Sequence, residues 1–207
     1  NKKAEEKAYI TYNKGRILSF LYLKTEGPDE NYSEFDPVCK KKKRLKVGTF
    51  KVVSNGVRLG ERFLKIVFDN ATLNQVDEIY VTIFNRTEEQ QRLIGLLEDW
   101  GFVKYGVKGS NNELVYVRDF SKQFSINDPK KTFPFISTKT DAFLIPIYPK
   151  YHTELLPDSF LRTESHENYV ENEPHRNAIS KIYISRSIER NIKRGDLLIF
   201  YRTAPAG

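Results

Sequence analysis

A strand-length run that ends in a glycine turn at the start of a helix constrains this chain more than any other feature. Arg44, Leu45, Lys46, Val47, Gly48, Thr49, Phe50, Lys51, Val52 and Val53 read as a strand, and Ser54 to Gly60 carry two glycines, Gly56 and Gly60, before a helical spacing begins. A strand that feeds such a turn leaves several backbone N–H groups unpaired and pointing one way, at the positive end of the helix dipole. That arrangement suits a phosphate or pyrophosphate, which gains about 1 kcal/mol from the dipole and more from direct N–H bonds.

The downstream order narrows the reading. Phe63, Leu64, Val67 and Phe68 form one apolar stripe of a helix over 60–70. Asp77 to Phe84 is a β-branched, aromatic run of strand length, and Glu88 to Asp99 returns to helical spacing through Leu93, Leu96 and Leu97. Trp100, Gly101 and Phe102 then stop that helix with a glycine and open another strand. Upstream, Ala8 to Leu23 reads as two strands joined at Asn13, Lys14 and Gly15, a tight hairpin signal.

In order and spacing, residues 8 to 120 resemble the GNAT acetyltransferase superfamily. The resemblance implies an α/β (α+β) fold, a mixed and largely antiparallel sheet flanked by helices, with the family's first strand and first two helices expected to precede Asn1. It implies acetyl-CoA as cofactor. The family's Q/R-x-x-G-x-G/A loop falls on Asn55, Gly56, Val57, Arg58, Leu59 and Gly60, with Glu61 following, and only Gly60 meets the pattern strictly. The strand positions that hold the pantetheine arm correspond to Phe50 and Val52, and the family's helix asparagine corresponds to Gln90.

Acetyl transfer to an amine needs a base for the ammonium proton and an acid for the departing thiolate. Where the family often has an acidic tyrosine, this chain has Leu97, so Tyr105 or a water is the substitute. For the base, Glu78, Tyr80, Thr82 and Glu98 are the nearby candidates, and the sequence does not choose among them.

A break follows. Residues 120–140 carry Pro129, Pro134 and scattered small polar residues without a sustained period, which divides the chain into an acetyltransferase-like domain over 1–120, a linker over 121–140 and a second domain over 141–207. In the second domain Ala142 to Pro149 reads as a strand, Tyr151 to Asp158 as a short helical turn, 178–187 as mixed strand and turn, and Gly195-Asp196 as the start of an apolar strand. The run Gly195 to Arg202, with Asn177 to Tyr183 upstream, is similar to the opening half of PUA-like barrels of the ASCH and EVE kind. That likeness implies a partial β-barrel of a type that binds RNA.

The net charge of +7 fits an acidic partner. Lys40 to Arg44 form one basic run, while Arg176, Lys181, Arg186, Arg190, Lys193 and Arg194 are interleaved with Tyr183, Phe200 and Tyr201 in the second domain. RNA contact and mere solvation are the two readings of these charges. A single cysteine, Cys39, rules out an internal disulfide or a multi-cysteine zinc site, and His152, His166 and His175 have no metal-building spacing. No apolar run reaches membrane-spanning length, so the composition predicts a soluble cytoplasmic protein. Two functions follow: an acetyl-CoA-dependent N-acetyltransferase with an RNA-binding module, or an acetyltransferase fold kept without efficient chemistry as a nucleic-acid-binding or regulatory protein.

Overall fold

The computed structural model describes residues 6–13, 16–52, 59–121, 124–157, 159, 177–185 and 191–203. The hairpin reading of the N-terminal run holds: β1 (Glu6–Asn13) and β2 (Arg16–Glu26) pair antiparallel, with Asn13 opposite Arg16. They are followed by β3 (Phe35–Asp36), β4 (Arg44–Val52), α1 (Leu59–Leu73), β5 (Glu78–Ile83), α2 (Glu88–Asp99), β6 (Val103–Lys108) and β7 (Glu113–Asp119). These strands form one seven-stranded sheet in the order β1-β2-β4-β5-β7-β6-β3, in which β4 and β5 are the only parallel neighbours. The molecule is thus a mixed α+β protein with a largely antiparallel sheet.

The parallel pair follows from the chain path, because α1 carries the backbone from the end of β4 back to the start of β5. α1 runs slightly longer than the sequence spacing predicts, and its stripe of Phe63, Leu64, Val67, Phe68 and Ala71 is fully buried. Those residues meet Leu21, Leu23, Leu45, Val47, Ile79 and Val81 from one face of the sheet, and Leu97 from α2. α2 has the limits predicted for it. Thr87 caps its N-terminus in a reciprocal capping box with Gln90. At its other end the Gly101 N–H donates to Glu98 O at 3.1 Å and the Phe102 N–H to Leu97 O at 3.0 Å. Gly101 takes φ +86°, the left-handed conformation that this C-terminal motif requires.

The opposite face of the sheet carries a smaller cluster of Tyr32, Phe35, Tyr80, Val115 and Val117. Beneath it lies a network of charges from the basic run. Arg44 is buried and pairs with Glu78 at 2.9 Å, Lys42 joins the same carboxylate, and Lys41 meets Asp29 at 2.9 Å. Lys43 donates to Asn74 O at 2.6 Å. The basic run is therefore largely folded onto this protein's own acceptors.

Described residues of the span that the sequence marks as a linker pack on the core of the large sheet. Around α3 (Pro129–Thr132), Phe133 and Phe135 lie against the main core, with Phe133 next to Phe68 and Trp100. Buried Arg118 sits over the Phe68 ring at 4.1 Å and donates to the Phe133 carbonyl. Burial pulls its guanidinium down to about 10, so it stays charged at neutral pH. Beyond this, β8 (Ala142–Ile147), α4 (Pro149–Leu155) and β9 (Leu197–Arg202) include a two-stranded sheet in which β8 and β9 run parallel. Residues 181–185, within the span read as mixed strand and turn, form no strand, and residues 186–187 of that span lie outside the described residues.

Gly101 is the sharpest test of this packing, since a Cβ there would lie 2.4 Å from Lys131 O as well as straining the backbone. Gly101→Val is expected to lower stability by about 2 kcal/mol or more, read from the midpoint of urea unfolding.

Candidate functional site

β4 and β5 pair through four positions, Arg44 with Glu78, Leu45 with Ile79, Lys46 with Tyr80 and Val47 with Val81. There the ladder stops, although β4 continues to Val52 and β5 to Ile83. The cause lies on the other side of β4. Leu23 faces Val47 while Tyr22 faces Thr49, so Gly48 is an extra residue that bulges the strand. Glycine suits the position, because a Cβ at Gly48 would come within 2.5 Å of the Tyr22 ring and force that ring to move. A bulge bends its strand, and this one carries β4 away from β5.

The parted strands enclose a cleft of about 440 Å³. β4 contributes Gly48, Phe50 and Val52 to its wall, and β5 contributes Val81, Thr82 and Ile83. Each strand spends its outer hydrogen bonds elsewhere: Thr49 to Val52 pair with β2, and Val81 to Ile83 pair with β7. Their inner edges face each other across the cleft without a ladder. Leu93 and Leu96 of α2 cover the helix side, and Lys51, Arg92, Glu89 and Glu113 supply charge at the rim. Gly60, in the first turn of α1, also lines the cleft, and its Cα lies so close to α2 that a Cβ would meet Leu96 Cδ2 at 2.7 Å.

Of the residues expected to hold cofactor, Phe50, Val52, Gly60 and Gln90 come together on this cleft. Gln90 has a second task that its sequence position hid: its side-chain oxygen accepts the Arg86 and Thr87 N–H groups at 2.8 and 3.1 Å. Leu59 is buried, and the Glu61 carboxylate accepts the Ser180 N–H. Asn55, Gly56, Val57 and Arg58 lie outside the described residues. The catalytic candidates Glu78, Tyr80 and Tyr105 are not in the cleft wall. Glu78 serves Arg44 and Lys42, the Tyr80 hydroxyl donates to Glu26 at 2.7 Å, and Tyr105 donates to Val38 O at 3.1 Å. Leu97 is buried in the main core. Sequence reasoning missed Gly48, Lys51, Arg92 and Glu113; a lone glycine inside a strand pattern was the available signal for the bulge.

Glu26 is itself buried and also accepts the Tyr32 hydroxyl at 2.9 Å. Burial, reinforced by the neighbouring Glu26 carboxylate, raises both tyrosines well above the ordinary phenol value. A raised pKa means that the folded state holds the phenol proton more tightly than the unfolded chain does. The resulting stability is present below the ordinary phenol pKa and is lost as pH rises past it. The urea midpoint should therefore fall as pH is raised beyond about 10, and Tyr80→Phe should blunt that alkaline fall.

No protein-family model and no curated protein matches the sequence. Among solved structures the chain is similar to a tetramutant of the BH1408 protein from Bacillus halodurans, at 13% identity and TM-score 0.38, over 47% of this chain and 61% of that one. It is similar to FeeM, an N-acyl amino acid synthase from uncultured soil microbes, at 12% identity and TM-score 0.42, over 57% and 74%. It is also similar to a chain of the NatC complex bound to Gag peptide and CoA, at 17% identity and TM-score 0.38, over 53% and 67%. The chain thus spans less than two thirds of the BH1408 structure, and these partial likenesses define no family for it.

Proposed function

We propose that this chain binds acetyl-CoA and acts as an N-acetyltransferase of the GNAT type. One observation carries the reading: β4 leaves β5 beyond Val47 and Val81 and exposes two strand edges across a cleft of suitable size. An extended ligand with amide groups, such as the pantetheine arm, completes an open strand edge as an added strand would. Phe50 and Val52 would offer their main-chain groups to that arm. The phosphate end belongs toward the N-terminal end of α1, the positive end of its dipole, with Lys51 and Arg92 adding positive charge. Bound there, acetyl-CoA supplies an acyl group activated as a thioester. The chain's own part is to orient it, to exclude water with Phe50, Leu93 and Leu96, and to leave the apex beside Gly48 and Thr82 open to an amine. With Leu97 in the acid's place, transfer depends on the low basicity of the thiolate.

Titration calorimetry with acetyl-CoA tests this directly. Heat of binding is expected for the wild type, and Gly60→Ile, whose branched side chain narrows the cleft against Leu96, should weaken affinity about tenfold or more. The absence of both heat and thermal shift at saturating acetyl-CoA would sink the reading.

A second reading, RNA binding by a PUA-like second unit, is favoured by the exposure of Tyr201 and Ile184 in a stretch of sequence that also carries Lys181, Lys193 and Arg194. The Tyr183 ring meets Phe200 edge-on at 5.1 Å, so one aromatic is already braced for stacking. Arg176, Arg186 and Arg190 lie outside the described residues. Affinity for single-stranded RNA should fall steeply with added salt and drop further in a Lys193→Ala, Arg194→Ala double variant. A salt-independent signal would leave these charges as solvating groups.

A further inference from the structure

On the sheet face away from α1 and α2, residues 27–35 close over β2, β4 and β5 and bound a second cavity of about 130 Å³. Its wall carries three carboxylates, Glu26, Glu30 and Glu34, and three ammonium groups, Lys24, Lys46 and Lys108. Two of the cations are already paired. Lys24 lies 3.3 Å from Glu26 and 3.2 Å from Glu30, and Lys108 lies 3.7 Å from Glu34. Lys46 makes no ion pair among the described residues; its ammonium stands 6.0 Å from the centroid of the Tyr80 ring. Glu26 forms the buried floor, fixed by the Tyr32 and Tyr80 hydroxyls on one carboxylate oxygen.

The position of this cavity gives it meaning. Lys46 and Tyr80 are ladder partners, and the next pair, Val47 with Val81, is the last before the strands part. Thr82, two residues beyond Tyr80 on the same face of β5, lines the large cleft, so the two spaces are about 7 Å apart along the strand. A ligand in the small cavity therefore borders the apex of the large one from the sheet face opposite α1 and α2.

The charge pattern selects the ligand. A simple amine would leave Lys46 unpaired and add positive charge beside three lysines, while a simple anion would face three carboxylates. A zwitterion satisfies both sets. We propose that this cavity is a subsite for a small α-amino acid, its carboxylate paired with Lys46 and its ammonium group turned toward Glu26 and Glu30. In this pose the carboxylate end, on Lys46, is the one nearest the apex of the large cleft, so the amino acid is a ligand bordering that cleft, and any role in acyl transfer rests on the acetyl-CoA reading.

Three probes that differ by one group each test the subsite: L-serine, ethanolamine, which lacks its carboxylate, and 3-hydroxypropionate, which lacks its amine. Calorimetry on the full chain should show serine binding and the other two at least about tenfold weaker. Lys46→Gln should lose about tenfold in serine affinity while unfolding at the same urea concentration and binding acetyl-CoA as the wild type does. Undetectable serine binding, equal affinity for ethanolamine, or indifference to Lys46→Gln would each overturn the proposal. Acetyl-CoA titrated separately keeps the two ideas apart. A protein that takes serine but not acetyl-CoA retains the zwitterion subsite and loses the acetyl-CoA reading, whereas one that takes acetyl-CoA but not serine loses the subsite alone.

Discussion

The extra residue at Gly48 governs most of what is distinctive here. Without it β4 would stay in register with β2 on one side and continue its parallel ladder with β5 on the other, and the sheet would present no opening at its centre. At the bulge the Tyr22 ring closely approaches a backbone without a side chain. The free edges are polar, extended and walled by Phe50, Leu93 and Leu96, a combination that favours a long, amide-bearing guest over a compact one.

The two faces of the sheet do different work. α1, α2 and the aromatic residues around Phe68 give one face a dry core that fixes the helix at the cleft mouth. The other face is built of ion pairs and tyrosine hydroxyls, with Arg44, Glu78 and Glu26 all removed from solvent or nearly so. Buried charges of that kind contribute little net stability, yet removing one partner is costly, so the network holds its members in a single geometry. That rigidity is what a site for a small polar molecule needs.

Legibility in the sequence followed the range of the interactions. α2 was readable to the residue because its period and its terminal glycine are local signals, and α1, β4 and β5 were nearly so for the same reason. Phe50, Val52 and Gly60 were expected at a cofactor site from the family resemblance, which rests on the contiguous order of strand, glycines and helix in the sequence. Gln90 reached the cleft as well, but its capping role follows from the Thr87-to-Gln90 spacing, which went unused. The fate of Lys42 and Arg44 was hidden, since Glu78 lies 34 residues beyond Arg44 and only the fold brings them together. Phe133 and Phe135 were hidden by irregularity: they reach the core through single contacts of a coil segment, which leave no period to detect.

Arg118 turns that coil segment into part of the enclosure. Its guanidinium is held between Phe68 and the Phe133 carbonyl with no carboxylate in hydrogen-bond reach among the described residues, so its charge is tolerable only while aromatic faces and a backbone oxygen surround it. Severing the polypeptide just after Phe120 would strip away that lid, wetting a cation at the heart of the aromatic cluster together with the flank of Trp100. The shortest piece able to keep its interior dry consequently ends beyond Phe135, well past the last strand of the large sheet.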